Sequence, residues 1–199
     1  MQITHSMLRK LFTSILIGLA LSACTPSLDW RTVRSDDLMY EALYPGKPSR
    51  AEKTIVFNNQ KLTMTMEASR VNDTLFAVGV INIPATARGI DLKALKDFLQ
   101  SGVLSNLKSD QVVKPTNISV KTAGQPSYEL PAHEWVLQGV GPDGQQRLLR
   151  FRVVERHFPD GQVQIYQQSI LQSMKHAAPI EKILRSDEHE MFFTGFKPY

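Results

Sequence analysis

SYELPAHEWVLQGVGPDGQQRLLRFRVVERHFPDGQVQIYQQSIL, residues 127–171, is the stretch that decides the fold. Three strand-like runs, 127–138, 145–156 and 162–171, are separated by Gly141-Pro142-Asp143-Gly144 and by Pro159-Asp160-Gly161. In a Pro-Asp-Gly turn the proline presets φ, the aspartate bonds the nearby backbone and the glycine accepts positive φ. The stretch therefore predicts an antiparallel meander. Trp135 and Leu137 share one parity, as do Leu149, Phe151 and Val153 on the next run, so these five are the expected core.

Outward from the meander, residues 117–122 read as another strand, joined to it through Gly124-Gln125-Pro126. Residues 91–108 read as a helix: Leu92, Leu95, Phe98, Leu99 and Leu107 recur at three- and four-residue spacings, with Asp91 placed to cap and Gly102 weakening the last turns. Residues 74–83 are apolar on both parities, which predicts a central strand covered on both sides and ended by Pro84. Residues 52–57 and 61–69 flank Asn58-Asn59-Gln60 as a hairpin. In its second strand Leu62, Met64, Met66 and Ala68 face one way, and Lys61, Thr63, Thr65 and Glu67 the other. Residues 30–33 and 39–44 are short strands ahead of the rigid turn Tyr44-Pro45-Gly46-Lys47-Pro48. Ser186 followed by Asp187, Glu188 and Glu190 suits a helix amino end. Together these runs predict an α+β protein, an antiparallel sheet meander packed with helices.

The amino end has another purpose. Arg9-Lys10, an apolar run over 11–21 and Ser22-Ala23-Cys24 have the layout of a secretory signal, and the apolar run is shorter than the roughly 20 residues a spanning helix needs. The expected organisation is a signal peptide over 1–23, a tether over 24–29 and one domain over 30–199. With 199 residues, one sizeable core is the expectation. The formal charge is +4, and removal of Arg9 and Lys10 leaves about +2. That is too small and too evenly spread to act as a footprint for nucleic acid.

Leu21-Ser22-Ala23-Cys24 resembles the lipobox of bacterial lipoproteins, and Cys24 is the sole cysteine. The resemblance implies a diacylglycerol on the Cys24 thiol, cleavage before it and acylation of the freed amine. Several acyl chains, at about 0.8 kcal/mol per buried methylene, would hold such a chain to a bilayer almost permanently. Thr25 stands where, in enteric lipoproteins, an Asp favours inner-membrane retention, so the resemblance points to the outer membrane and the periplasm. The alternative is an ordinary signal followed by a chance cysteine. Tyr44-Pro45-Gly46-Lys47-Pro48, together with Met191-Phe192-Phe193-Thr194-Gly195-Phe196-Lys197 and the order of Gly124, Arg150, Arg152 and Tyr166 between them, resembles the PsbP/Mog1-like α+β fold. Tyr44 and Gly195 stand where that family more usually has Phe and Ser. The likeness implies an accessory protein that binds or assembles partners, and it brings no catalytic set.

The residues agree with a non-enzymatic reading. His133, His157, His176 and His189 are scattered and read as surface or rim histidines, no Gly-x-Ser-x-Gly elbow or phosphate loop is present, and no metal site or cofactor is expected. Asp36-Asp37 and the pair Glu188 and Glu190 read as solvated or capping carboxylates, and Met64 and Met66 as core. Arg150, Arg152 and Arg156 share a parity, with Tyr166 on the neighbouring strand. They are either a docking surface for a protein partner or an anionic group, or a strand face with cross-strand ion pairs to residues such as Glu134. The leading expectation is a lipid-anchored, protein-binding or assembly module. The runner-up is a carrier of a small apolar or anionic ligand, for which a cavity behind Phe76, Val80 and Trp135 would speak. A hydrolase comes last.

Overall fold

The computed structural model describes residues 28–87, 89–109, 114–174 and 179–199. In chain order the elements are β1 (Arg31–Ser35), β2 (Tyr40–Tyr44), β3 (Ser49–Phe57), β4 (Gln60–Val71), β5 (Thr74–Ile83) and α1 (Leu92–Leu104). There follow β6 (Thr116–Lys121), β7 (Glu129–Val140), β8 (Gln146–His157), β9 (Val163–Ser173), α2 (Ile180–Leu184), α3 (Asp187–Thr194) and β10 (Lys197–Pro198). The meander is β7, β8 and β9, paired throughout in antiparallel register.

Both Pro-Asp-Gly turns close as their residues require. Gly144 N donates to Gly141 O and Gly161 N to Phe158 O, each at 3.0 Å. Asp143 Oδ1 accepts from Gln145 N and Asp160 Oδ1 from Gln162 N. Gly144 and Gly161 have φ of 78° and 85°, in the left-handed region that glycine enters without penalty. The β3–β4 hairpin turns on Asn58 and Asn59, whose φ values of 47° and 63° are of the kind asparagine tolerates.

The large sheet has seven antiparallel strands in the order β3-β4-β5-β9-β8-β7-β6. The crossing from β5 to β9 sets the hairpin beside the meander, and β5 is buried on both faces as its composition predicts. One face packs on α1: Leu95 and Leu99 meet Ile81, Ile165, Leu137, Leu149, Val153 and the Trp135–Phe151 pair. Those two rings stack at 4.8 Å, and all five expected core residues are buried on this side. Asp91 Oδ1 caps α1 by accepting from Lys93 N and Ala94 N, worth about 1 kcal/mol. The helix stops at Leu104, short of the expected end, and Leu107 is buried beyond it.

The other face is covered by the chain termini. A small sheet, β1-β2-β10, and the helix α3 lay Tyr40, Tyr44, Phe192, Phe193 and Phe196 on Phe76, Val78, Val80, Val154, Tyr166 and Ile170. This cover corrects the expectation for β4. Thr65 and Glu67 were expected on a solvated parity, yet both are buried, because the small sheet lies over them. α2 and β10 were not expected from the sequence.

Candidate functional site

Arg150 and Arg152 leave β8 on the face covered by the termini. Glu134, opposite Arg152 on β7, receives Arg152 Nε at 2.5 Å and has Arg150 Nε at 3.2 Å. Arg150 also donates to Leu184 O at 3.3 Å, and Arg152 to Phe193 O at 3.0 Å. Both guanidiniums lie on the Phe193 ring, 4.3 and 4.4 Å from its centroid. Their side chains are only 10% and 13% exposed, so neither presents an open docking surface. The pairing with Glu134 is the cross-strand arrangement that stood as the alternative. Burial lowers the Arg152 pKa, and the Glu134 charge opposes the shift.

Arg156 is half-buried over the Phe158 ring at 4.9 Å. Tyr166 is fully buried: its hydroxyl donates to Met39 O at 3.0 Å and lies against Gln164 Oε1, and its ring packs on Tyr40 and Phe196. Burial raises its pKa. Of the four candidate partner-binding residues, Arg150, Arg152 and Tyr166 therefore tie the termini to the sheet. The cover is supplied by residues some 40 positions later in the chain, which strand parity does not reveal.

A second buried polar group had no sequence signal beyond the Tyr and Glu residues themselves. Glu67 accepts from the Tyr40 hydroxyl and from Ser35 Oγ at 3.1 Å, and Tyr44 donates to the Glu67 carbonyl at 3.2 Å. Arg50 reaches Glu67 at 3.9 Å and Asp37 at 2.6 Å. Burial drives the Tyr40 and Tyr44 pKa values upward, so both remain donors that fasten the small sheet to β4.

The histidines separate. His133 pairs with Asn117 Oδ1 and His157 with Glu155, both at exposed positions, while His176 lies outside the described residues. His189 is a correction, since it is 2% exposed. It sits beneath α3 with Nε2 3.0 Å from Gln172 Oε1 and Nδ1 without a hydrogen-bond partner. Burial first, and then the Arg150 charge, lower its pKa to about 4. Among the described residues no group of three or more His, Cys, Asp or Glu side chains is arranged to hold a metal ion. Met64 is buried and Met66 half-buried against the α1-side core.

Three features remain open. The first is a cleft of about 460 Å³ between the β4–β5 turn and the C-terminal helices, lined among others by Leu28, Phe76, Lys182, Glu188 and His189. The second is a pair of hollows of about 320 and 170 Å³ beside α1, where Lys96 is already paired with Glu155. The third is the outer edge of β3, the end strand of the large sheet, exposed at every position from Ser49 to Thr54 and at Val56. Phe76 and Val80 belong to one core and Trp135 to the other, so the three line no common cavity.

Comparison with known proteins adds little. No protein-family model matches the chain, and no curated protein sequence matches it. Among solved structures it is similar to LpqN, described as involved in cell envelope biogenesis of Mycobacterium tuberculosis. The match covers 85% of this chain and 78% of that one, at 15% identity and a TM-score of 0.38. A likeness this loose transfers neither a residue role nor a function. Cys24 lies outside the described residues, among which no helix is long and apolar enough to cross a membrane.

Proposed function

We propose that the chain is a lipid-anchored, non-enzymatic envelope protein of the outer membrane, facing the periplasm, whose PsbP/Mog1-like α+β domain binds a protein partner or assists assembly. The observation that carries the reading is Leu21-Ser22-Ala23-Cys24, with the only cysteine of the chain at the one position that lipoprotein processing requires. Arg150, Arg152 and Tyr166 are engaged in packing, so the docking place lies elsewhere. The β3 edge supplies a docking place. Its nine residues contain no proline, and its open backbone would take an extended segment of a partner as an eighth strand beside Val56.

The test pairs two variants. Cys24→Ser abolishes acylation and releases the chain from membrane fractions, or leaves it as uncleaved precursor. Thr54→Lys with Val56→Lys leaves folding and anchoring intact and lowers recovery of a crosslinked partner at least tenfold. Acylated, processed protein persisting in Cys24→Ser would refute the anchor, and unchanged partner recovery from the edge variant would refute the edge. A carrier of a small ligand is the second reading, favoured by the 460 Å³ cleft, whose size suits a small molecule.

A further inference from the structure

Among the described residues β3 pairs with β4 alone. The two-residue turn Asn58-Asn59 makes Phe57 and Gln60 the closing hydrogen-bonded pair of that hairpin. Arg50, Glu52, Thr54 and Val56 therefore point their backbone N–H and C=O groups away from β4. Two of the three large apolar residues that stand exposed among the described ones lie at this strand. Val56 is 60% exposed, and Phe98, 44% exposed, has its ring 5.6 Å from that of Phe57.

Antiparallel pairing of two such edges sets residues with outward groups opposite one another, and the charges decide the register. Centring on Arg50, Glu52 or Lys53 places like charges directly opposite, which is destabilising. Centring on Ala51 makes about four backbone bonds and draws Arg50 from Asp37 and Glu67 towards the second copy's Glu52, and centring on Ile55 also makes about four. Centring on Thr54 makes about six and leaves the ion pairs of Arg50 untouched. It sets Glu52 opposite Val56, Lys53 opposite Ile55 and the small Ala51 opposite Phe57. The two Lys53 lie on the diagonal, about 7 Å apart, and are exposed, so both ammonium groups stay solvated. We propose that two copies of this chain pair antiparallel through β3, their Thr54 residues facing across a two-fold axis, to form one continuous sheet. The proposal rests on docking at the β3 edge and names the occupant. The axis stands normal to the sheet, so the same face of both copies looks the same way. Leu28, which lines a cleft with Phe76 and His189, leaves the domain on the side of the termini. Both amino-terminal segments then emerge on one side, as two anchors in a single bilayer require. Parallel pairing would turn one copy over and set the anchors on opposite sides.

The test uses the purified full-length processed protein in lipid vesicles, with its mass reporting acylation separately. Cys24 is the chain's only thiol, so the parent protein gives the background. Single Thr54→Cys, Glu52→Cys and Val56→Cys variants are treated with a short bifunctional thiol reagent. Facing Thr54 residues are about 5.5 Å apart at Cα, whereas Glu52 and Val56 each lie roughly 13 Å along the strand from their own counterparts. Thr54→Cys therefore gives a covalent dimer in a yield about tenfold or more above the other two. Equal yields, or a yield no greater than the parent's, overturn the proposal. Thr54→Lys and Thr54→Glu, followed by sedimentation in a mild non-ionic detergent, each lose the dimer alone and regain it when mixed, which a folding defect would not allow. A mixture that stays monomeric also overturns the proposal. If self-pairing fails while Thr54→Lys with Val56→Lys still loses a different crosslinked protein, the docking edge stands and the second copy is refuted as its occupant. Failure of both sinks the edge itself.

Discussion

Glu134 is the carboxylate shared by two buried guanidiniums, and Glu190, 3.5 Å from Arg150, is a second and more exposed one. Removing one partner of such a buried group is far more damaging than the net worth of the pair, because the remaining charges stay desolvated. Phe193 closes the other side with its ring face, adding about 1 to 2 kcal/mol per desolvated cation. His189, close by, is a titration probe of the same packing. Above about pH 6.5 its imidazole is neutral whether the chain is folded or not. As the pH falls the unfolded chain takes the proton first, while the folded one waits until about pH 4, so stability is lost across that window and not below it. Urea unfolding at pH 7 and pH 5 should show the parent chain losing about 2 kcal/mol more than His189→Gln. Equal losses would mean that the imidazole is not held neutral beneath α3.

At the scale of elements, two glycines in helical settings should respond in opposite directions. Gly102 lies inside α1 with no atom within 4 Å of where a Cβ would stand, so Gly102→Ala should stabilise by about 0.5 to 1 kcal/mol. Gly195 ends α3, where a Cβ would come within 2.5 Å of Leu43 Cβ and 2.7 Å of Met191 O. Gly195→Ala should therefore destabilise by about 1 to 3 kcal/mol, as overpacking does. Thermal unfolding of the two variants gives both signs; a neutral Gly195→Ala would contradict the close seat of α3 on β2. The local chemistry of these elements was largely legible. Pro-Asp-Gly and Asp91 dictate their turn or cap through local hydrogen bonds and Asn58-Asn59 through the positive φ that asparagine tolerates, and alternating parity was enough to place Trp135, Leu137, Leu149, Phe151 and Val153 in the core. Glu67 was not legible, because its burial depends on a second sheet whose strands are separated from it in sequence and reveal nothing about where they will lie.

For the whole molecule, the large sheet is a shared wall between two cores, and each core holds one of the chain's two tryptophans. Trp30 packs edge-on against Phe76 on the side of the termini, and Trp135 stacks on Phe151 beneath α1. Since every strand from β4 to β8 contributes to at least one core and the central ones to both, the layers should melt together. Fluorescence of Trp30→Phe and Trp135→Phe, each retaining one reporter, should give a transition coincident with that variant's own loss of circular dichroism. A fluorescence midpoint displaced from it in either variant would show that one layer unfolds alone. The candidate docking residues illustrate the limit of reading at this scale. Parity correctly put Arg150 and Arg152 on one face, but whether that face is open depends on α3, and nothing local to β8 indicates where α3 returns.

The small sheet also decides how the domain bears force. β2 is gripped on one flank by β1, the first strand after the amino-terminal segment, and on the other by β10, with Tyr199 N donating to Met39 O and Ala123 N to Pro198 O. Tension applied at the amino end enters through the five-residue β1–β2 ladder, and the strand receiving it is pinned from the opposite side by the last three residues of the chain. β10 and Tyr199 thus act as a latch on the loaded strand, and their removal would weaken the domain's mechanical grip at β1.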